Sequence, residues 1–120
     1  MHNINLPFTV ESMKQVFAWG ASPDTAPFTH QEIAHWCDRF HMAMFDVDTD
    51  NAMDIATGIA ADVDAQWDML LASRYTCEEL QKLDFSKEQV PAVWFREWIS
   101  QLENASLKVL GVGPKELLDM

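Results

Sequence analysis

"NAMDIATGIAADVDAQWDMLL", residues 51–71, is the stretch on which the fold turns. Ile55, Ile59, Val63, Trp67 and Leu70 recur at three- and four-residue steps, with Ala52, Ala56 and Ala60 between them. At about 100° per residue all of them fall within one half of a helical circumference. The stretch predicts a long amphipathic helix at the centre of the fold.

Working outward, the same period recurs almost everywhere and no alternating strand of useful length competes with it. Thr9 reads as the N-cap of a first helix that buries Val10, Met13 and Phe17 and ends near Gly20, where "GASPDTAP" supplies turn residues. "THQE" is a capping box: Thr29 caps while Glu32 reaches back, and Ile33, Trp36, Cys37, Phe40 and Met44 form the inward stripe. A second capping box, Thr76 with Glu79, opens a short helix contributing Leu80 and Leu83. The last long helix begins around Pro91 and buries a combination of Phe95, Trp98, Ile99 and Leu102 before "ENAS" frays it; a final turn from Pro114 to Leu118 follows "GVG". No internal repeat is visible. The fold class is all-α, a compact single-domain bundle of about five helices with short connections over residues 1–120.

The chain is large enough to close one core without a metal or a disulfide, and 48% hydrophobic residues, including five Trp and seven Phe, provide the burial. A net charge of −11 must therefore lie on a folded surface. Such a field opposes direct binding to nucleic acid or an anionic membrane and favours basic proteins. "MHNINLPFTV" has neither a basic leader nor an export-length apolar run, and no later segment approaches a membrane span, so a cytoplasmic location is expected. Cys37 and Cys77 lie far apart, each in a helical pattern, and are expected to stay unpaired.

The acidity is uneven. Between Arg39 and Arg74 there is no Lys or Arg, while Asp46, Asp48, Asp50, Asp54, Asp62, Asp64 and Asp68 all fall there. Helical spacing puts Asp54, Asp64 and Asp68 opposite the apolar stripe, beside Thr57, Ala61 and Ala65. A solvated face needs no more than this. A face built only for solubility, however, would favour Glu paired with Lys, because Asp is a poor helix former.

"FDVDTDNAMD", residues 45–54, resembles an EF-hand loop that begins at Asp46 and uses Asp48, Asp50 and Asp54 as its third, fifth and ninth positions. The sixth position is Asn51 rather than Gly, and the twelfth is Thr57, which removes two ligand oxygens. The expectation is that Asp48 or Asp50 caps the long helix instead. His30, Cys37 and His41 share a helix face, but an i, i+7 separation spans about 10 Å, too far for one zinc ion. A buried thiol beside an edge histidine is the simpler outcome for Cys37 and His41. Glu32 and His35 match one half of a di-iron motif whose second half is missing. With no nucleophile elbow, phosphate loop or HExxH, neither an enzyme nor a cofactor is expected.

Trp94 and Trp98, four apart in "VWFREWI", make with Phe95 too wide a band for one core stripe. Either the fifth helix is sandwiched between two neighbours, or one indole anchors a partner. In general character, a small acidic helical domain resembles the immunity proteins that neutralise basic toxin domains, including nucleases. That resemblance implies a protein-binding inhibitor; the acidic stretch and the aromatic helix themselves give the expected partner-binding residues, Asp46, Asp48, Asp50, Asp54, Asp64, Asp68, Trp94 and Trp98. The alternatives are a self-associating helical subunit of a larger assembly and, third, a metal-binding protein.

Overall fold

Each of the three expected threonine caps forms. The computed structural model describes the backbone of residues 3–109 and the side chains of residues 3–104. The turn expected from Pro114 to Leu118 lies outside them. Five helices follow in order: α1 (Val10–Ala21), α2 (His30–Met44), α3 (Asn51–Arg74), α4 (Cys77–Lys82) and α5 (Ala92–Val109), with no strand among the described residues. Thr9 accepts from the Ser12 N–H at the start of α1, and Thr29–Glu32 and Thr76–Glu79 form complete capping boxes. Asp50 caps α3, its Oδ1 accepting from the Met53 N–H at 2.8 Å. The fold is the expected all-α bundle.

α3 packs against α2 and α5, and α1 lies against α5. Phe17, Trp36, Phe40 and Phe95 are fully buried in the common core, each contributing about 1.5–3 kcal/mol through burial. The buried stripe of α3 is Ala56, Ile59, Ala60, Val63, Trp67 and Leu71. Ile55 and Leu70, expected inside, are only partly buried. At 100° per residue the observed stripe is rotated by roughly 45° from the expected one. The cause is the packing of α2 along that side of α3, which draws in Leu71 and turns Asp64 toward the helix–helix seam.

Two further corrections concern the chain ends of the bundle. α4 buries nothing: Leu80 is partly covered and Leu83, its C-cap, is exposed, because a helix of one and a half turns packs only lightly, chiefly on α3. α5 does not fray at "ENAS" but continues helical through Val109.

Two contacts tie distant segments together. The N-terminal residues strap α2: Ile4 is buried, its carbonyl accepts from Arg39 Nη2 at 3.0 Å, and the Leu6 carbonyl accepts from Trp36 Nε1 at 3.3 Å. His30 is buried against Phe95, with Nε2 2.9 Å from the Gly20 carbonyl while Nδ1 accepts from the Val90 N–H at 3.0 Å. Because Nδ1 accepts, Nε2 carries the proton and the ring is neutral. Burial holds its pKa below the usual 6.5, against the opposing pull of the Gly20 carbonyl. Both ring nitrogens are thus committed to backbone groups. Gly20 itself must be glycine, since a Cβ there would stand 2.7 Å from the Phe95 ring.

Candidate functional site

The connection from α2 to α3 does not build a cation loop. α3 already begins at Asn51, so everything from the sixth position of the supposed twelve-residue loop onward is helix. Asp50 is occupied as the N-cap, and Asp54 accepts from the Thr49 hydroxyl. What the connection presents is a mixed surface. Asp46, Asp48, Asp50 and Asp54 are exposed, and among them stand Phe45, 62% exposed, and Val47, 51% exposed, with Met42 at 61% one turn back on α2. The two ion pairs among the described residues, Arg74 with Glu88 and Lys82 with Glu78, lie elsewhere. Arg39, the nearest guanidinium in sequence, donates to the Ile4 carbonyl. Among the described residues, the carboxylates from Asp46 to Asp68 form no ion pair with a Lys or Arg.

Farther along α3 the expected acidic face divides. Asp54 and Asp68 point to solvent, but Asp64 is half-buried at the α2 seam. Its pKa is raised, first by burial and then by the neighbouring Asp68 and Asp38, while His41 and His35 pull the other way. Asp64 and Asp68 line a cleft of about 530 Å³ between α2, α3 and α4, together with Gln31, Trp67, Leu71 and Leu83. Leu80 of α4 and Leu83, its C-cap, also line this cleft. Cys37, deep in the seam, has its thiol pKa pushed well up by complete burial and then by Asp64, which disfavours the nucleophilic thiolate. Among the described residues no group of three or more His, Cys, Asp or Glu side chains converges as a metal site would require.

The two tryptophans part company. Trp98 is 5% exposed, packs on Phe17 and Phe95, and donates from Nε1 to Asp62 Oδ2 at 2.9 Å. Its ring belongs to the core, and α5 is sandwiched between α1 and α3. Trp94 is half-buried, edge-on to Trp98 with ring centroids 6.3 Å apart. The structure thus gathers Asp46, Asp48, Asp50 and Asp54 at one end of α3, sets Asp64 and Asp68 in the cleft, and leaves Trp94 and Trp98 with Asp62 on the α5 side.

Sequence reading passed over Phe45, Val47 and Gln31. The first two were legible in principle as apolar residues interrupting an acidic run. Gln31 was not, because a polar residue in the first turn of α2 reads as solvated.

Compared with known proteins, the chain matches no family model, no curated protein and no solved structure. No helix among the described residues is long and apolar enough to cross a membrane.

Proposed function

We propose that this protein is a small acidic protein-binding domain that occupies a basic site on another protein, acting as an inhibitor or immunity-type protein toward a partner such as a nuclease toxin domain. The observation that carries the reading is the α2–α3 connection, where exposed Phe45 and Val47 alternate with carboxylates that, among the described residues, form no ion pair with a Lys or Arg. An apolar centre inside a charged rim is how protein interfaces are organised, with the apolar part supplying affinity and the rim supplying encounter rate. The reading requires no catalytic group and places the protein in the cytoplasm with its partner.

The test begins with capture of binding proteins at low ionic strength, followed by kinetics with the purified partner. A variant with Asn at Asp46, Asp48, Asp50, Asp54, Asp64 and Asp68 should associate more slowly, and Phe45→Ala should dissociate faster by about tenfold or more. Retention of both rates in folded variants refutes the assignment of the interface. Sedimentation at micromolar concentration addresses self-association: a tight, salt-insensitive oligomer would favour that alternative over inhibition.

A further inference from the structure

Residues 84–90, between α4 and α5, form neither helix nor strand, yet Phe85 and Val90 are buried. Among the described residues, the backbone hydrogen bonds of this segment are internal, Ser86 N–H to Asp84 Oδ1 and Glu88 N–H to the Phe85 carbonyl, with one exception. The Val90 N–H donates to Nδ1 of buried His30. Nearer the middle, the Glu88 carboxylate accepts from the Tyr75 hydroxyl and from Arg74. The segment is thus held at two points of different chemistry, an imidazole lone pair at one end and a carboxylate farther back. A proton near neutral pH abolishes the first and spares the second.

Nδ1 accepts the Val90 hydrogen as a bare lone pair, because Nε2 carries the ring proton toward the Gly20 carbonyl. A proton on Nδ1 sets two N–H donors face to face and buries an imidazolium with one acceptor for its two donors. The charged groups of the surrounding elements are engaged elsewhere or stand in solvent. Glu32 of α2 accepts from the Thr29 N–H, Asp84 holds Ser86, and Glu88 holds Tyr75 and Arg74. Asp24 before α2, His35 on it, Lys87 in the segment, and Arg96 and Glu97 on α5 are exposed. Glu11 and Lys14 belong to the first two turns of α1, away from Gly20. We infer that residues 84–90 form an acid-released flap: a proton taken up by His30 Nδ1 expels the Val90 N–H and frees that end, while Glu88 keeps the middle clamped to Tyr75 and Arg74. Opening lifts Ser86 and Gln89 from a cavity of about 140 Å³ that they share with Phe28 and His30, and so admits water to the ring. Burial holds the closed ring's pKa below the usual 6.5, so the opened ring binds the proton more tightly and acid drives opening. The Tyr75 hydroxyl first, and then Arg74 against the effect of desolvation, hold the Glu88 carboxyl below its usual 4.5, so the clamp outlasts the latch. The flap is independent of the acidic interface, and the failure of either leaves the other standing.

The experiment is amide hydrogen exchange of the whole protein, read by NMR between about pH 7.5 and pH 5, with the His30 ring followed in the same samples. Corrected for the intrinsic exchange rate, protection of the Val90 amide should fall below about pH 6.5 by up to about tenfold per pH unit, levelling off where the closed ring itself titrates. A low concentration of urea separates the flap from global unfolding. Val90 exchange should be nearly indifferent to it and faster than that of the Val63 amide in α3, whose exchange urea accelerates. The Tyr75 ring resonances should stay unmoved while Val90 opens, since the clamp persists. In His30→Gln, which keeps an acceptor and a donor but takes up no proton in this range, Val90 protection should be flat with pH. If that variant does not fold, the wild-type measurements decide alone. Val90 protection that ignores pH while the ring titrates overturns the flap, as does a Val90 amide that matches Val63 in rate and urea dependence. An equal pH-dependent loss in folded His30→Gln overturns His30 as the latch, and Tyr75 resonances that move with Val90 overturn the clamp.

Discussion

His30 shows what a single residue does here and how little of it could be foreseen. Its two partners, the Gly20 carbonyl and the Val90 N–H, lie ten and sixty residues away in sequence, so no local pattern reveals them. Thr9, Thr29 and Thr76, by contrast, were legible because a cap and its N–H are three residues apart. Replacing His30 with Ala removes two buried hydrogen bonds and the contact with Phe95, and should cost about 2–4 kcal/mol in urea denaturation. Burial depresses the folded pKa below 6.5. The histidine's contribution is therefore whole above about pH 6.5 and is lost as pH falls through the folded value, since the unfolded chain takes up the proton first. The gap between wild type and His30→Ala should shrink between about pH 7.5 and pH 5; a constant gap would mean the ring does not titrate as its hydrogen bonds require. Glycine gives a second, opposed pair. Gly20→Ala forces a methyl group into the Phe95 ring and should destabilise by about 1–3 kcal/mol. Gly58, mid-helix with open space where a Cβ would go, should accept Ala with a gain of about 0.5–1 kcal/mol. Thermal melts of the two variants should move in opposite directions.

At the scale of the element, α3 carries most of the argument. Its existence and its apolar identity were readable from period, and its cap region from the aspartates that precede it. The rotation of its buried stripe was not, because that depends on which side α2 approaches, and this is why Asp64 moved from the expected solvent face to the seam. Asp50→Ala should cost about 0.5–2 kcal/mol by removing the cap, whereas Asp50→Asn should be nearly silent. Asp64 behaves in the reverse sense. Its carboxyl is more readily protonated folded than in the free chain, where the value is 3.8. Folding is therefore penalised above the raised value, and the penalty disappears as pH falls through it toward 3.8. Asp64→Asn should raise the melting temperature modestly at neutral pH, with the gain vanishing near pH 3. A variant less stable than wild type at neutral pH would show that the carboxylate makes a favourable contact in the free protein. Stabilisation on removing a charge is the pattern of a group retained for binding rather than for the fold.

For the whole molecule, the class of fold followed from helical period, capping boxes and the absence of alternating strands, all of which act over a few residues. The site followed only in part. The acidic run from Asp46 to Asp68 was visible as composition, but its division into an exposed connection around Phe45 and Val47 and a cleft around Asp64 is a product of tertiary packing. The expectation that Trp94 or Trp98 marks a partner surface weighed a band too wide for one stripe. In the bundle, α5 is covered on two sides, and Trp98 meets its polar requirement internally through Asp62. Electrostatics remains the property of the molecule as a whole: −11 overall, with the long stretch from Asp46 to Asp68 free of Lys and Arg. Carboxylates that lie within a Debye length, about 8–10 Å at moderate salt, add to one another's field. The decisive measurement is the association rate constant with the captured basic partner as a function of ionic strength, for wild type and for the variant with Asn at Asp46, Asp48, Asp50, Asp54, Asp64 and Asp68. The wild-type rate should fall by about tenfold or more from low to high salt, and the variant should be slow and nearly salt-independent throughout. A folded variant that matches the wild-type rate at every ionic strength would contradict the acidic surface as the interface.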